Sequence, residues 1–414
     1  MHLSAPDTPP SSVAISPPGI KVVVSTIGRF HSFDLARQLQ RKGSLARVFT
    51  GYPRFKLWDT GVDPAQVSSF PWLQTPYMAL IRSRLFQRYA ARRWERQAHF
   101  WHDRHVAACL PECDLVSALS GSGLRTQRAA AARGARYVCD RGSSHIVFQD
   151  RILREEHALL GLACPGVDPR VIDIEQAEYR LADAITVPSS FVLESFVAEG
   201  VAREKLILAP YGVELGAFFR QAPRDPGFRV LFVGQLSVRK GLHTVLQAVA
   251  AARLPGARLV LVGGVQEHTE TLLRRFPVSQ TGVAVECLGH LPRASVIAEM
   301  SRASVLVLPS VEEGLALVQA QALACGCPVI ATPNTGAATL FSDGVEGYIV
   351  PIRDPAAIAD RLERLAQDRA LLERMGRAAV DRVAALGGWD RYGDIIHQAF
   401  VALVGAGGRA GRAR

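Results

Sequence analysis

The feature that most restricts the fold is an alternation repeated along the chain: a short β-branched or aliphatic run, a turn carrying glycine, then a stretch with helical periodicity. KVVVSTIGRFHSFDLARQLQRKGSLARVFT, residues 21–50, supplies a strand over 22–26, a turn at Gly28, an amphipathic helix and a second strand. The rhythm returns at CDLVSALSGSGLRTQRAAAARGARYVCD, where a strand ending near Ala118 runs into a Ser-Gly-Ser-Gly turn at 120–123, and again at AITVPSSFVLESFVAEGVAREKLILAPYG. Strand and helix alternating in this way predict a parallel sheet covered on both faces.

One Rossmann-like domain is expected over 21–215. The proline-rich, polar segment RQAPRDPGFR at 220–229 reads as a linker. Beyond it, strands are expected at 230–233, 258–262, 283–288, 305–308 and 329–332, with helices over 242–252 and 317–325. These define a second Rossmann-like domain over 230–388. The fold class is therefore α/β, two parallel sheets whose strand ends face a central cleft, and 414 residues suit two domains of ordinary size. A last helix is expected over 389–404, with a return to the first domain as one course open to it, followed by a flexible glycine-rich tail at 405–414. The opening residues 1–20, rich in proline and serine, read as a disordered leader without the charged start and apolar stretch of a signal peptide.

Composition excludes some classes and leaves others open. With 48% apolar and 21% charged residues the chain is of the globular type, and no apolar run reaches the roughly 20 residues a membrane-spanning helix needs. Seven cysteines, odd in number and without a CxxC pair, read as reduced core residues of a cytoplasmic protein rather than disulfides or zinc ligands. The net charge of +10 is mostly an arginine habit of the whole chain, since only five of the 48 basic residues are lysines. By itself it does not choose among nucleic acid, a membrane surface and an acidic substrate, and no nucleic-acid partner is expected.

In open parallel sheets, ligands bind beyond the carboxyl ends of the strands. FVGQLSVRKGLHTVLQAV, 232–249, places a glycine turn at Gly234 and two adjacent cations, Arg239 and Lys240, at such an end, just before a helix opens at Gly241. A helix N-terminus disfavours cations unless an anion is present. The pair is thus read as holding a multiply charged anion, most simply a diphosphate, against the plainer reading of a solvated helix start. VLVLPSVEEGLALVQAQALACGCPVIATPNTG, 305–336, is a strand, loop, helix, strand unit. Its loop carries Glu313 and Gly314, and its helix directs free amides into the same mouth. Gln321, eight residues after Glu313, lies one turn inside that helix.

FVGQLSVRKG, LPSVEEGLALVQAQALACGCPVIAT and TGAATLFSDGVEGYIV, taken together, resemble the group 1 glycosyltransferases, the retaining nucleotide-sugar family numbered 4, with the GT-B fold. The resemblance implies a nucleoside-diphosphate sugar held mainly by the second domain and an acceptor held mainly by the first, without cofactor or metal, often in cell-surface polysaccharide synthesis. It implies that Lys240 meets the donor diphosphate. The family's paired arginine normally follows the first glycine turn, where this chain has Gln235, so Arg239 is expected to supply that charge. Glu313 matches the first acid of a two-glutamate motif and is expected at the donor sugar, with the amides of Gly314, Leu315 and Ala316 at sugar and phosphate. Gln321 stands where the second glutamate would contact ribose, and Thr339 where many members have glutamate. No Asp-x-Asp motif is present, which counts against a metal-dependent enzyme of the other main fold.

In YVCDRGSSHI a histidine, His145, follows the strand end, where family members often present one to the donor sugar. Gly28 and His31, after the first strand, belong at the cleft too. The segment 81–106, with seven arginines and interleaved aromatics, is read either as a helix burying its aromatics or as one lying on an anionic membrane surface, where lipid-linked acceptors reside. Two rivals remain beside the transferase: a GT-B epimerase or phosphorylase, and a nucleotide-sugar-binding protein without turnover, for which Gln321 is the motive.

Overall fold

The computed structural model describes residues 19–410, apart from 82, 84, 85, 87, 88, 165 and 215. The leader expected over 1–20 therefore lies almost wholly outside the described residues, as do positions 411–414 of the tail. The first sheet contains β1 (Val22–Thr26), β2 (Leu45–Thr50), β3 (Val67–Ser69), β4 (Leu115–Leu119), β5 (Arg136–Asp140), β6 (Ala184–Val187) and β7 (Leu206–Leu208), in the order β3-β2-β1-β4-β5-β6-β7. The second contains β8 (Arg229–Val233), β9 (Arg258–Val262), β10 (Ala284–Gly289), β11 (Val305–Leu308), β12 (Val329–Ala331) and β13 (Gly347–Ile349), ordered β10-β9-β8-β11-β12-β13. The pairings are parallel in both. In each sheet the order reverses beside its first strand, which opens a crevice between β1 and β4 and between β8 and β11.

Strands apolar at every position are what a sheet with two covered faces requires, because successive side chains point to opposite sides. In β8, Val230 and Phe232 enter one apolar cluster and Leu231 the other; in β1, Val22 and Val24 part from Val23 in the same way. Each such side chain contributes roughly 1.5–3 kcal/mol by leaving water. The strand ends differ from the expected ones by a residue: 283–288 becomes Ala284–Gly289, and 329–332 stops at Ala331.

The segment 220–229 is not a free linker. Arg220 donates from Nη2 to the Gly326 carbonyl (2.8 Å) and Arg224 from its own Nη2 to the same oxygen (2.9 Å), which satisfies the carbonyl end of the helix Leu317–Ala324. Arg229 is already the first residue of β8. The chain crosses earlier, since Ala209 belongs to the first domain's core and Val213 to the second's.

It crosses back at Gly387 and Gly388, and the helix Gly388–Ala410 lies on the first domain. Tyr392, Ile396 and Phe400, spaced by four, are buried in that domain's core beside Val22 and Phe33. Asp390 accepts from Gln38 Nε2 (2.9 Å) and Arg41 Nη1 (2.8 Å). The helix continues past 404 to Ala410, into residues expected as a flexible tail, because a nucleated helix adds residues at little further cost. The two crossings touch: a Cβ on Gly212 would come within 2.2 Å of the Trp389 nitrogen.

Candidate active site

The loops after β1 and β8 face one another across a cavity of about 1140 Å³. One glycine sets the geometry of its floor. Gly241 caps the helix Leu242–Ala251 at φ 72°, and a Cβ there would stand 2.1 Å from the Pro309 carbonyl. The loop after β8 is thereby pressed onto the loop after β11, and the Lys240 ammonium meets the Glu313 carboxylate directly. Ser310 Oγ donates to the same carboxylate oxygen of Glu313 (3.2 Å).

Of the residues expected from sequence, Gly234, Lys240, Glu313, Leu315, Ala316 and Gln321 line this cavity. Arg29 and Arg293 line it as well, each ion-paired: Arg29 with Asp59 at 2.9 Å and Arg293 with Glu214 at 2.7 Å. Sequence reading passed over both. Arg29 had a usable signal, since it follows the turn after β1 much as Lys240 follows the turn after β8.

The other expected residues stand outside the cavity lining. Arg239 turns from Lys240 and donates from Nε to Glu312 Oε2 (2.9 Å) and to the Glu312 carbonyl (3.1 Å). Burial opposes the guanidinium charge, but the Glu312 carboxylate outweighs it and raises the Arg239 pKa. Gly314 is a contact between domains: a Cβ would lie 1.7 Å from the Gly142 carbonyl, and Ser189 Oγ donates to the Gly314 carbonyl (2.6 Å). Thr339 sits at the same seam, accepting from the Ser190 amide (3.1 Å).

His145 caps the helix Ile146–Leu159, its Nδ1 accepting from the Val147 amide (3.3 Å), and its ring packs against Tyr179 and Phe196. Burial, with the Arg141 and Arg151 charges beside it, lowers its pKa to about 4. It is therefore a neutral acceptor near pH 7. Gly28 leaves room for the Phe30 ring, which a Cβ would meet at 2.5 Å. His31 Nε2 lies 2.6 Å from Asp140 Oδ2, with the Tyr211 ring tilted 30° against it and centroids 4.2 Å apart.

The basic segment 81–106 divides. Its second part belongs to the helix Ala91–Cys109, which buries Ala98, His102 and Val106, while Trp94 Nε1 donates to the Leu73 carbonyl (2.9 Å). Phe100 and Trp101 are half exposed, each under a guanidinium, Arg125 and Arg104 respectively. Among the described residues no helix is long and apolar enough to cross a membrane, and no three His, Cys, Asp or Glu side chains are grouped to hold a metal ion.

Two Rossmann-like domains facing one cleft, joined by two adjacent crossings, define the GT-B architecture. Over nearly the whole chain it is shared with sucrose-phosphate synthase from Thermosynechococcus elongatus (TM-score 0.69, 21% identity, 94% of this chain and 100% of that one). HepE of Anabaena, solved in complex with UDP and glucose, matches similarly (TM-score 0.67, 16% identity, 92% and 100%). At such identities the likeness carries the fold alone. Residues 217–382, most of the second domain, match the family model described as glycosyl transferases group 1. Among curated relatives, D-inositol 3-phosphate glycosyltransferase of Pseudarthrobacter chlorophenolicus is 32% identical over 257 residues, 58% of this chain and 61% of that protein. The putative colanic acid biosynthesis glycosyltransferase WcaL of Salmonella typhimurium is 27% identical over 222 residues, 50% and 54%. The matched stretch thus spans little more than half the length of these relatives.

Proposed function

We propose that the protein is a glycosyltransferase that moves a sugar from a nucleoside-diphosphate sugar to an acceptor hydroxyl, with retention at the anomeric carbon. The observation that carries this reading is the convergence of Lys240, from the loop after β8, with Glu313 and Gln321, from the loop and helix after β11, on one cavity at the strand ends of the second domain. The bond between the anomeric carbon and the β-phosphate oxygen breaks, its electrons leave with the diphosphate, and the acceptor oxygen bonds to that carbon as its proton passes to the departing phosphate oxygen. Lys240 exchanges its partner Glu313 for a phosphate and neutralises the charge that builds on the leaving group. Glu313, released from that pair, faces the positive character developing on the sugar. Arg29 and Arg293 supply further cations, while Arg239 is committed to Glu312.

Thermal-shift measurements against UDP-, GDP- and ADP-sugars test the reading. UDP-glucose comes first, since HepE has been solved with it. A donor at 100 times its dissociation constant stabilises by about 2.7 kcal/mol. Turnover of that donor, continuing in excess EDTA, separates a metal-independent transferase from a binding protein. Stabilisation by no nucleotide sugar would refute the proposal.

For the acceptor we propose delivery at a membrane surface, on the cytoplasmic side, where the seven free cysteines would stay reduced. Phe30, Phe55, Trp58 and Trp72 are 59%, 71%, 85% and 75% exposed. They stand on loops at the strand ends of the first domain, and the Arg29–Asp59 pair ties the Phe30 loop to the Trp58 loop beside the cleft. Exposed aromatics with Arg54 and Lys56 among them suit an anionic bilayer interface better than the helix Ala91–Cys109, whose Phe100 and Trp101 are only half exposed and lie under guanidinium groups. Co-sedimentation with phosphatidylglycerol vesicles, lost in a Phe55→Ser, Trp58→Ser variant, is the expected result; no sedimentation of the native protein would refute it.

A further inference from the structure

Glu312 is the acid beside the family glutamate, and it has a different task. It leaves the second domain on the loop after β11 and is wholly buried, yet most of its partners belong to the first domain. Its Oε1 accepts from the Ser144 amide (3.1 Å) and Ser144 Oγ (2.7 Å), and its Oε2 from Gln149 Nε2 (2.9 Å). Arg239 Nε, from its own domain, completes the set.

These partners stand at the amino end of the helix Ile146–Leu159, where free amides and the helix dipole favour an anion. The helix is thus met by a carboxylate from the opposite domain. The receiving side is held in turn. Arg141, buried and ion-paired with Glu175 at 2.6 Å, donates from Nη2 to Gln149 Oε1 (3.0 Å) and from Nε to the Ser144 carbonyl (3.1 Å). This leaves Gln149 with only its amide nitrogen to offer Glu312. Burial of Glu312 opposes its charge, but Arg239, Ser144 and Gln149 together hold its pKa below the usual carboxylate range.

We propose that Glu312 is a positioning residue that locks the two domains closed and so sets the donor loop. It is followed directly by Glu313, paired with Lys240, and by Gly314, seated on Gly142. Anchoring the 312 carboxylate in the first domain fixes the backbone of these two neighbours. Separating the domains strips the carboxylate of Ser144 and Gln149 while leaving it beside Arg239, so closure and the arrangement of the donor loop are one event. No substrate contact is assigned to Glu312. The inference rests on the transferase reading for its effect on turnover, but not for its effect on closure.

The test uses the full chain with Glu312→Gln, Gln149→Ala and the double variant. Two readouts are taken: a spin-label distance between exposed positions of the two domains, which needs no substrate, and steady-state kinetics with the donor found by thermal shift. Each single variant should broaden the distance distribution toward longer separations. Each should lower kcat by roughly tenfold or more while donor KM moves less than about threefold, and the double variant should be no worse than the poorer single. Gln149→Ala breaks the lock from the other side, so the test survives poor folding of Glu312→Gln. Unchanged distances in both single variants would overturn the proposal whatever the donor proves to be. So would losses that multiply in the double variant. Altered distances without any donor turnover would leave the lock standing and remove the transferase reading instead.

Discussion

Lys240 and Glu313, on loops following different strands of the second sheet, form an ion pair on the floor of the cleft. The pair shows why a lysine can wait in a half-buried site without an anion: its charge is already matched. On the proposed reading, an arriving diphosphate would displace the carboxylate, which would then stand beside the sugar.

Lys240→Ala should therefore weaken a nucleoside diphosphate far more than the matching nucleoside, since only the former offers charge to an ammonium. A loss of about 2 kcal/mol, roughly thirtyfold, fits a charge-assisted hydrogen bond. Isothermal titration with both ligands measures the difference, and equal losses would exclude a diphosphate contact.

Glu313→Gln and Gln321→Glu should separate chemistry from binding. The first should lower the single-turnover rate, because charge beside the anomeric carbon is lost, with donor affinity nearly kept. The second should hold or tighten donor affinity by about 1 kcal/mol, because a carboxylate accepts stronger bonds from two ribose hydroxyls. A Gln321→Glu protein that binds normally yet no longer turns over would reverse these assignments.

Gly314→Ala should resist closure. Its methyl would stand 1.7 Å from the Gly142 carbonyl, and backbone has to shift to admit it. Overpacking of this kind costs about 1–3 kcal/mol, hence a fall in turnover between roughly fivefold and hundredfold. Nucleotide binding to the second domain should be nearly unchanged. A normal turnover rate would mean the seam opens during the reaction.

Acid should destabilise the fold before its carboxylates titrate. Burial lowers the pKa of His145 to about 4 and of His102 to about 3, against an ordinary 6.5. Between those values the unfolded chain binds more protons, so this stability is complete above pH 6.5 and declines as pH falls. Urea midpoints should drop from pH 7 to pH 5, and His145→Gln should flatten the decline. A midpoint constant over that range would contradict the buried neutral imidazoles.

The elements were legible because each strand is apolar at successive positions and each helix periodic, signals carried within a few residues. Lys240 and Glu313 were legible because motif order places them at strand ends, and Gln321 because it follows Glu313 by eight residues, one turn inside the next helix. Arg239 misled for a physical reason: adjacent residues entering a helix point in different directions, and which of the two meets the cavity depends on a carboxylate 73 positions away. His145 likewise sits at the right strand end, but Tyr179 and Phe196 enclose its ring. Glu312 had no local signal, since its partners Ser144 and Gln149 belong to the other domain.

The returning helix Gly388–Ala410 also governs how the molecule is made. A ribosome releases β1 well before Phe400, and at about 5–20 residues per second the interval is on the order of tens of seconds. During that time the first domain lacks Tyr392, Ile396 and Phe400, and the core surface around Val22 and Phe33 that they cover stays wet. The second domain, whose core draws on residues 213–383, emerges complete before the first can finish. Synthesis runs from the amino end, yet the amino-terminal domain is the later of the two to mature.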